Sequence, residues 1–319
     1  MITLQAFDPA DCKLHVNIVR LWGEACAAQL PLSPRLLAFN TEPTPDIKQT
    51  ACLALRGSEL GGFVLASVGD TIQDRATGWI DVLAVAPAMQ RQGIGHALLE
   101  WAEERLATQG CITVRLGGSL RPFTPGLPME LGAMPFFERY GYEATGEVYD
   151  VARRLSDYQP LRIAPAGHIT VEPVQSSQVQ LLLAFLHTAF PERWEGECRE
   201  YLRRGGQSSD YLALWVDGSI EGFCQVAFED SLRPIERFFP GRLPRPWGQL
   251  GPIGVGRSCR GKGYGAFLLD AGLRYLSAKG VDGCVIDWTD LTAFYEKFGF
   301  TVYRQYVKLV KLLRHPVPV

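Results

Sequence analysis

Hydrophobic and polar positions follow the same order twice along the chain, which predicts two halves built from the same elements. Runs with a period of two predict strands, and apolar residues spaced three and four apart predict helices. In the first half the predicted strands span 2–7, 50–55, 61–68, 78–86 and 112–116, and the predicted helices span 13–30, a segment beginning at 94, and 134–141.

The second half repeats this order after a polar, proline-bearing segment at 156–168. Its predicted strands span 169–174, 210–228 (a hairpin that turns at Asp217-Gly218), 249–255, 283–288 and 300–312, and its predicted helices span 177–190, 194–204, a segment beginning at 264, and 292–299. Asp-Gly between two apolar runs is a strong hairpin signal. The predicted domains are therefore 1–158 and 166–319.

A glycine-rich motif precedes the third helix of each half. It reads QRQGIG from Gln90 and RGKGYG from Arg260, and the two copies are 170 positions apart, as are Val85 and Val255 in the strands before them. A strand, a loop and a helix start that match without a gap indicate a duplicated domain.

Composition and charge narrow the possible functions. The 319 residues include 32 basic and 34 acidic side chains, and this balance gives no electrostatic reason to expect nucleic acid or an anionic membrane as a partner. No apolar run is long enough to cross a bilayer, and residues 1–12 do not read as a secretion signal. Eight scattered cysteines form no CxxC pair and no zinc-ligand spacing with histidine. We therefore expect a cytoplasmic protein with reduced thiols and no metal.

The chemistry of the glycine motif suits an anion. A glycine-rich loop that opens a helix exposes main-chain N–H groups, and the helix dipole adds partial positive charge at the same place. A Walker loop would end in Gly-Lys-Ser/Thr and a Rossmann loop would carry a third glycine, and neither copy has these features. A phosphate site and a purely structural tight turn both remain open at this point.

Two motifs in the same order resemble the GNAT acetyltransferase superfamily. The first is Gln/Arg-x-x-Gly-x-Gly/Ala, which matches both glycine motifs. The second is a short aromatic helix that ends in Gly-aromatic, which matches FFERYGY from Phe136 and FYEKFGF from Phe294. The resemblance covers nearly the whole chain. It implies two tandem α/β domains, each a mixed, mostly antiparallel sheet flanked by helices.

The resemblance also implies acyl-CoA binding, with acetyl-CoA as co-substrate and a small-molecule amine as acceptor. It implies a monomer that acts as a pseudo-dimer. Loop N–H groups would hold the pyrophosphate, and the strand before the loop would pair with the pantetheine arm. The implied binding residues are Leu83, Val85, Arg91, Gln92, Gly93, Ile94, Gly95 and His96, and in the second half Ile253, Val255, Arg260, Gly261, Lys262, Gly263, Tyr264 and Gly265.

The catalytic residues implied by the family favour the second half. A tyrosine on the short late helix often protonates the leaving thiolate in this family. Tyr295 occupies that position in the second half, whereas the first half has Phe137, which cannot donate a proton. We expect Asp287 to be the general base, with Asp290 and Glu229 as substitutes.

Two alternatives stay open. The family often places its base on the strand before the glycine loop. In the first half Asp81 stands there, while the matching residue of the second half is Gly251 and the nearby Gln249 cannot act as a base. One alternative is therefore that the first half is the active one, with a water chain in place of the tyrosine. Alternatively, the protein binds acyl-CoA as a sensor without turnover.

Overall fold

The computed structural model describes residues 2–26, 30–69, 76–160, 168–191, 193–236 and 245–313. Two compact units divide the chain: the first comprises Met1–Tyr149 and Arg304–Val319, and the second comprises Asp150–Tyr303. The predicted linker at 159–165 lies outside the described residues except for its first two positions. The predicted domain bounds therefore stay a prediction.

The first unit is a mixed sheet flanked by helices. Its strands lie in the order β1-β2-β3-β4-β5-β13. The elements are β1 Ile2–Phe7, α1 Cys12–Cys26, α2 Pro34–Thr41, β2 Ile47–Arg56, β3 Glu59–Gly69, β4 Thr77–Val85, α3 Ile94–Thr108, β5 Thr113–Leu116, β6 Leu127–Pro128, α4 Met134–Arg139 and the first part of β7 Glu143–Arg154, with the last part of β13 Thr301–Leu312. Only β4 and β5 pair in parallel among the registered pairs of this unit.

The second unit repeats the arrangement. Its strands lie in the order β8-β9-β10-β11-β12, followed by the end of β7. The elements are β8 Ile169–Pro173, α5 Val179–Ala189, α6 Trp194–Arg203, β9 Tyr211–Val216, β10 Ser219–Phe228, β11 Trp247–Val255, α7 Tyr264–Ala278, β12 Gly283–Thr289 and α8 Thr292–Glu296. Here β11 and β12 are the parallel pair. The predicted fold class, a mostly antiparallel mixed sheet with flanking helices in two copies, is confirmed.

Helices cover both faces of the first unit's sheet, and the strand alternation shows which residues face which helix. A methyl group at Gly62 would lie 3.0 Å from a methyl group of Leu98, so Gly62 faces α3. The next residue, Phe63, faces the opposite side, where its ring centroid lies 6.5 Å from that of Trp22 in α1. The two faces are called the α3 face and the α1 face below.

A β-bulge interrupts β4 at its centre. Leu65 pairs with Val82 and Ala66 pairs with Ile80, so Asp81 is an extra residue without a partner on β3. Bulges re-aim side chains and are frequent next to active sites. A corresponding irregularity lies in β11, where Cys224 pairs with Ile253 and Val226 pairs with Leu250.

No helix within the described residues is both long enough and apolar enough to span a membrane.

Candidate active site

Both glycine loops have nearly the same backbone conformation. Gly93 and Gly263 occupy the position before the helix, with φ of 84° and 86°, and this left-handed region favours glycine. A side chain at Gly93 would meet no atom within 4 Å, so the main chain of the first loop is open to a ligand there, and in the second loop the same holds at Gly261 and Gly265. Exposed N–H groups at the start of a 15-residue helix suit an anion.

The first residue of each motif braces its loop. The Gln90 Nε2 donates to the Val85 carbonyl at 3.2 Å, and the Arg260 Nε donates to the corresponding Val255 carbonyl at 3.4 Å. Gln92 also donates to a loop carbonyl, that of Ala88. These hydrogen bonds connect the loop to the end of the preceding strand. Glutamine and arginine can both occupy the first position of the motif because each has a side-chain N–H that reaches the same carbonyl.

The first unit contains a cavity of about 740 Å³ that joins the glycine loop to β4. Six of the predicted binding residues line it: Leu83, Val85, Arg91, Gly93, Gly95 and His96. The other two, Gln92 and Ile94, are not among its lining residues, and the Ile94 side chain is buried in the core. The remaining walls come from the end of α1, from α4, and from the segment between β5 and α4.

Asp81 lies in the wall of this cavity and is 5% exposed. Burial raises the pKa of its carboxyl from 3.8 to about 7, and the hydroxyls of Ser119 and Ser67 oppose that rise by stabilising the charged form. Ser67 lies four residues after Phe63 on β3, so both side chains point to the α1 face of the sheet. Because the Ser67 hydroxyl interacts with the Asp81 carboxyl, that carboxyl also lies on the α1 face. A buried carboxyl with a pKa close to neutrality is suited to general-base chemistry.

The aromatic helix of the first unit carries no hydroxyl at the predicted acid position. Phe137 is buried and packs edge-on against Phe136 and Tyr142. Tyr140, three residues later, stacks on His96 with ring centroids 4.4 Å apart, and both rings line the cavity. This contact holds the His96 ring at the loop end of the cavity.

In the second unit the predicted catalytic residues form one group. The Gln249 Nε2 donates to Asp287 Oδ1 at 2.7 Å. Tyr295 is 5% exposed, and burial, followed by the charge of Asp287, raises the pKa of its phenol above the usual value. The Thr289 hydroxyl opposes this rise, because it donates a hydrogen bond that stabilises the phenolate.

Two features of β11 differ from β4. Val82 has an N–H, whereas the residue 170 positions later is Pro252, which has none. Ala84 lines the cavity of the first unit, whereas its counterpart Gly254 is covered by aromatic rings: a methyl group there would lie 2.5 Å from Phe190 and 2.9 Å from Trp194.

The family model described as "Acetyltransferase (GNAT) family" matches residues 22–142 and 179–300, which together make up more than half of the chain. The chain belongs to the GNAT acetyltransferase family. Each match spans β4 or β11, the glycine loop and the aromatic helix of one unit.

Two curated relatives extend over most of the chain. The mycothiol acetyltransferase of Catenulispora acidiphila is 25% identical over 264 residues, which cover 78% of this chain and 76% of that protein. The mycothiol acetyltransferase of Saccharopolyspora erythraea is 28% identical over 234 residues, which cover 70% of this chain and 71% of that protein.

Solved structures share the tandem fold. A fungal GCN5-related glucosamine N-acetyltransferase region, part of a multi-domain β-N-acetylglucosaminidase, superposes with a TM-score of 0.86 at 21% identity over 97% of this chain; this chain spans 38% of that protein. A tandem GNAT protein from the clavulanic acid biosynthesis pathway superposes with a TM-score of 0.70 at 16% identity, over 98% of both chains. At these identities the likeness shows the fold.

Within this GNAT fold, the sequence analysis kept Asp81 as an alternative base and did not weigh Pro252. The bulge that turns Asp81 into the cavity depends on pairing with β3, and the hydroxyls beside it come from β3 and from the segment after β5. Pro252, in contrast, was visible in the sequence as a residue without an N–H on the strand before a glycine loop.

Proposed function

We propose that this GNAT protein transfers an acetyl group from acetyl-CoA to a small-molecule amine, and that the first unit performs the reaction. The observation that carries the proposal is Asp81, a buried carboxyl with a pKa of about 7 in the wall of a cavity that also reaches the glycine loop.

The first unit fits acetyl-CoA on its own geometry. The open main chain at Gly93 and the start of α3 would receive the pyrophosphate, and the half-buried strand residues Leu83 and Val85, which line the cavity, would flank the pantetheine arm. Acetyl-CoA supplies an activated thioester. Gly95 has a packing reason to be glycine, because a side chain there would lie 3.3 Å from the Phe136 ring.

Asp81 would remove a proton from the amine nitrogen as that nitrogen attacks the thioester carbonyl. The C–N bond forms, the C–S bond breaks, and the proton held on Asp81 becomes available to the departing sulfur. An alkylammonium with a pKa near 10.4 requires about 4.6 kcal/mol for deprotonation at neutral pH. A carboxyl with a pKa of about 7 accepts a proton more readily than an ordinary aspartate, and burial beside it would also disfavour the ammonium form of the amine. This arrangement needs no phenol at position 137.

The second unit supplies the competing candidate, with Tyr295 as acid and Asp287 as base. The Gln249–Asp287 hydrogen bond, and the effect of the Asp287 charge on the Tyr295 phenol, favour it. Against it, Pro252 removes a main-chain donor near the reacting carbonyl, and rings cover Gly254. Loss of that donor matters because a preorganised N–H that stabilises the developing oxyanion typically contributes about 10²-fold or more to turnover.

A panel of primary amines tests the proposal through acetyl-CoA-dependent release of free thiol. The panel would include D-glucosamine, phenethylamine and spermidine, with product identified by mass spectrometry. We expect Asp81→Asn to lower turnover by about 10²-fold or more. Acetyl-CoA affinity measured by calorimetry should stay within about twofold, because the change is nearly isosteric and remote from the loop.

Asp287→Asn is the matched control, since it makes the same chemical change in the second unit. Turnover lost in Asp287→Asn and retained in Asp81→Asn would assign catalysis to the second unit. Acetyl-CoA binding without turnover on any amine would instead support the sensor alternative.

A further inference from the structure

The wall of the cavity next to Asp81 is built from residues 117–131, between β5 and α4. The Gly117 N–H donates to the Ile80 carbonyl at 2.9 Å, next to Asp81, and Ser119 stabilises the Asp81 carboxylate. Because this wall adjoins the general base rather than the glycine loop, it borders the place where the amine must react. We call residues 117–131 the amine-side wall.

The amine-side wall has little regular structure of its own. The Gly118 N–H donates to the Thr124 carbonyl at 2.8 Å, and the Thr124 hydroxyl donates to the Gly126 carbonyl at 2.7 Å. Its only strand, β6, has two residues, Leu127 and Pro128, and both line the cavity. A strand this short depends on a neighbouring strand to stay in place.

That neighbour is β13, which comes from the far end of the sequence. Tyr306 pairs with Pro128 and Val307 pairs with Leu127. The approach is close, because a methyl group at Gly126 would lie 2.7 Å from the Val307 carbonyl oxygen. The amine-side wall is therefore held between β4 on one side and β13 on the other.

An ion pair joins the same two segments. The Arg304 Nε donates to Glu130 Oε1 at 2.5 Å across 174 positions of sequence, and the Arg304 side chain is 4% exposed. A charge-assisted bond to a buried guanidinium has directional geometry that exposed pairs lack. Glu130 is adjacent in sequence to Leu131 and lies two residues after Pro128, and both of these residues line the cavity.

We propose that Arg304 is a positioning residue that fixes the amine-side wall through Glu130, and so sets the affinity for the amine acceptor. The proposal rests on the proposed function of the first unit. Arg304 acts through Glu130 and the wall rather than by touching the reacting atoms.

Glu130→Ala is the test variant, because Glu130 is partly exposed and its removal leaves the fold's core intact. We expect the KM for the best amine of the panel above to rise roughly tenfold, as expected when a positioning contact is lost. The KM for acetyl-CoA should stay within about twofold, because the Glu130–Arg304 bond does not involve the glycine loop. Glu130→Gln keeps an acceptor oxygen for the Arg304 N–H and should recover most of the amine affinity.

Lys311→Ala is the matched control. Lys311 lies on the same strand, and its Nζ donates to Glu103 Oε2 of α3 at 2.6 Å, away from the amine-side wall. A purely structural role for both ion pairs predicts equal effects of Glu130→Ala and Lys311→Ala on the KM for the amine. That result would overturn the proposal.

Hydrogen exchange followed by mass spectrometry separates this proposal from the proposed function, because it needs no turnover. Faster exchange in peptides covering 117–131 of Glu130→Ala, with unchanged exchange at 90–96, supports the proposal even if no panel amine reacts. Unchanged exchange in 117–131 overturns it, whatever the activity. Failure of the whole panel with wild-type protein counts against the proposed function alone.

Discussion

The burial of Asp81 predicts a stability effect that can be measured without knowing the acceptor. The folded-state pKa of about 7 lies above the ordinary value of 3.8, so the folded protein holds this proton more tightly than the unfolded chain does. Stability contributed by the protonated carboxyl is complete below about pH 4 and is lost as pH rises through 7. At about 1.4 kcal/mol for each pKa unit, the ionised carboxyl costs the folded state about 4 kcal/mol at pH 8.

Asp81→Asn removes this cost, because the amide has nearly the same shape and no charge. The variant should match wild type near pH 4 and exceed its stability by about 4 kcal/mol at pH 8. For a unit of this size, that difference corresponds to a melting temperature higher by on the order of 10 °C. Thermal melts of both proteins at pH 4, 6, 7 and 8 provide the comparison.

Ser119→Ala is an independent test of the direction in which the pKa of Asp81 is shifted. The Ser119 hydroxyl stabilises the carboxylate, so its removal should raise the pKa of Asp81 further. The loss of stability should then continue to a higher pH and be larger in total than in wild type. If the curves of stability against pH for wild type and Asp81→Asn run parallel from pH 4 to pH 8, then Asp81 does not carry a raised pKa. Asp81 would then have the pKa of an ordinary aspartate and would be poorly suited to act as the base.

Three further predictions follow from the same geometry. If Asp81 is the base, kcat/KM for a panel amine falls as pH drops below about 7, and a pH profile flat from 5 to 9 would contradict this. Gly93→Asp places a charged side chain at a φ of 84° in the first loop and should abolish turnover. Gly263→Asp makes the same change in the second unit and should leave turnover within about twofold, and calorimetry measures the acetyl-CoA affinity of both variants. Tyr295→Phe should retain turnover if the first unit reacts, whereas a loss of about 10²-fold, with melting temperature unchanged, would return the chemistry to the second unit.

Local features of the site could be predicted from the sequence because their causes lie within a few residues. Gly93 and Gly263 adopt left-handed conformations that glycine favours, and Gln90 and Arg260 reach carbonyls only five positions away. The strand pattern and the glycine motif therefore carried enough information for the fold and for both loops.

Features that join distant segments could not be predicted in the same way. The pKa of Asp81 depends on Ser67 and Ser119, which lie on different segments, and on burial that only the folded unit creates. The pairing of β13 with β6 joins residues about 180 positions apart, and an alternating pattern in β13 does not specify which strand it will meet. The Arg304–Glu130 contact depends on that pairing, so it could not be predicted from the sequence either.

The two glycine loops have the same conformation, although the strands before them differ in sequence. This contrast bears on which of the two units carries out the reaction. A loop conformation needs only glycines at two positions and one bracing side chain, so it survives changes elsewhere. In the reaction proposed for the first unit, the base and the main-chain donor both lie on the strand itself, where Asp81 and Val82 correspond to Gly251 and Pro252 of the second unit. An intact loop is therefore evidence for anion binding and not for turnover. The comparison of β4 with β11 is the one that separates the units, and it favours the first.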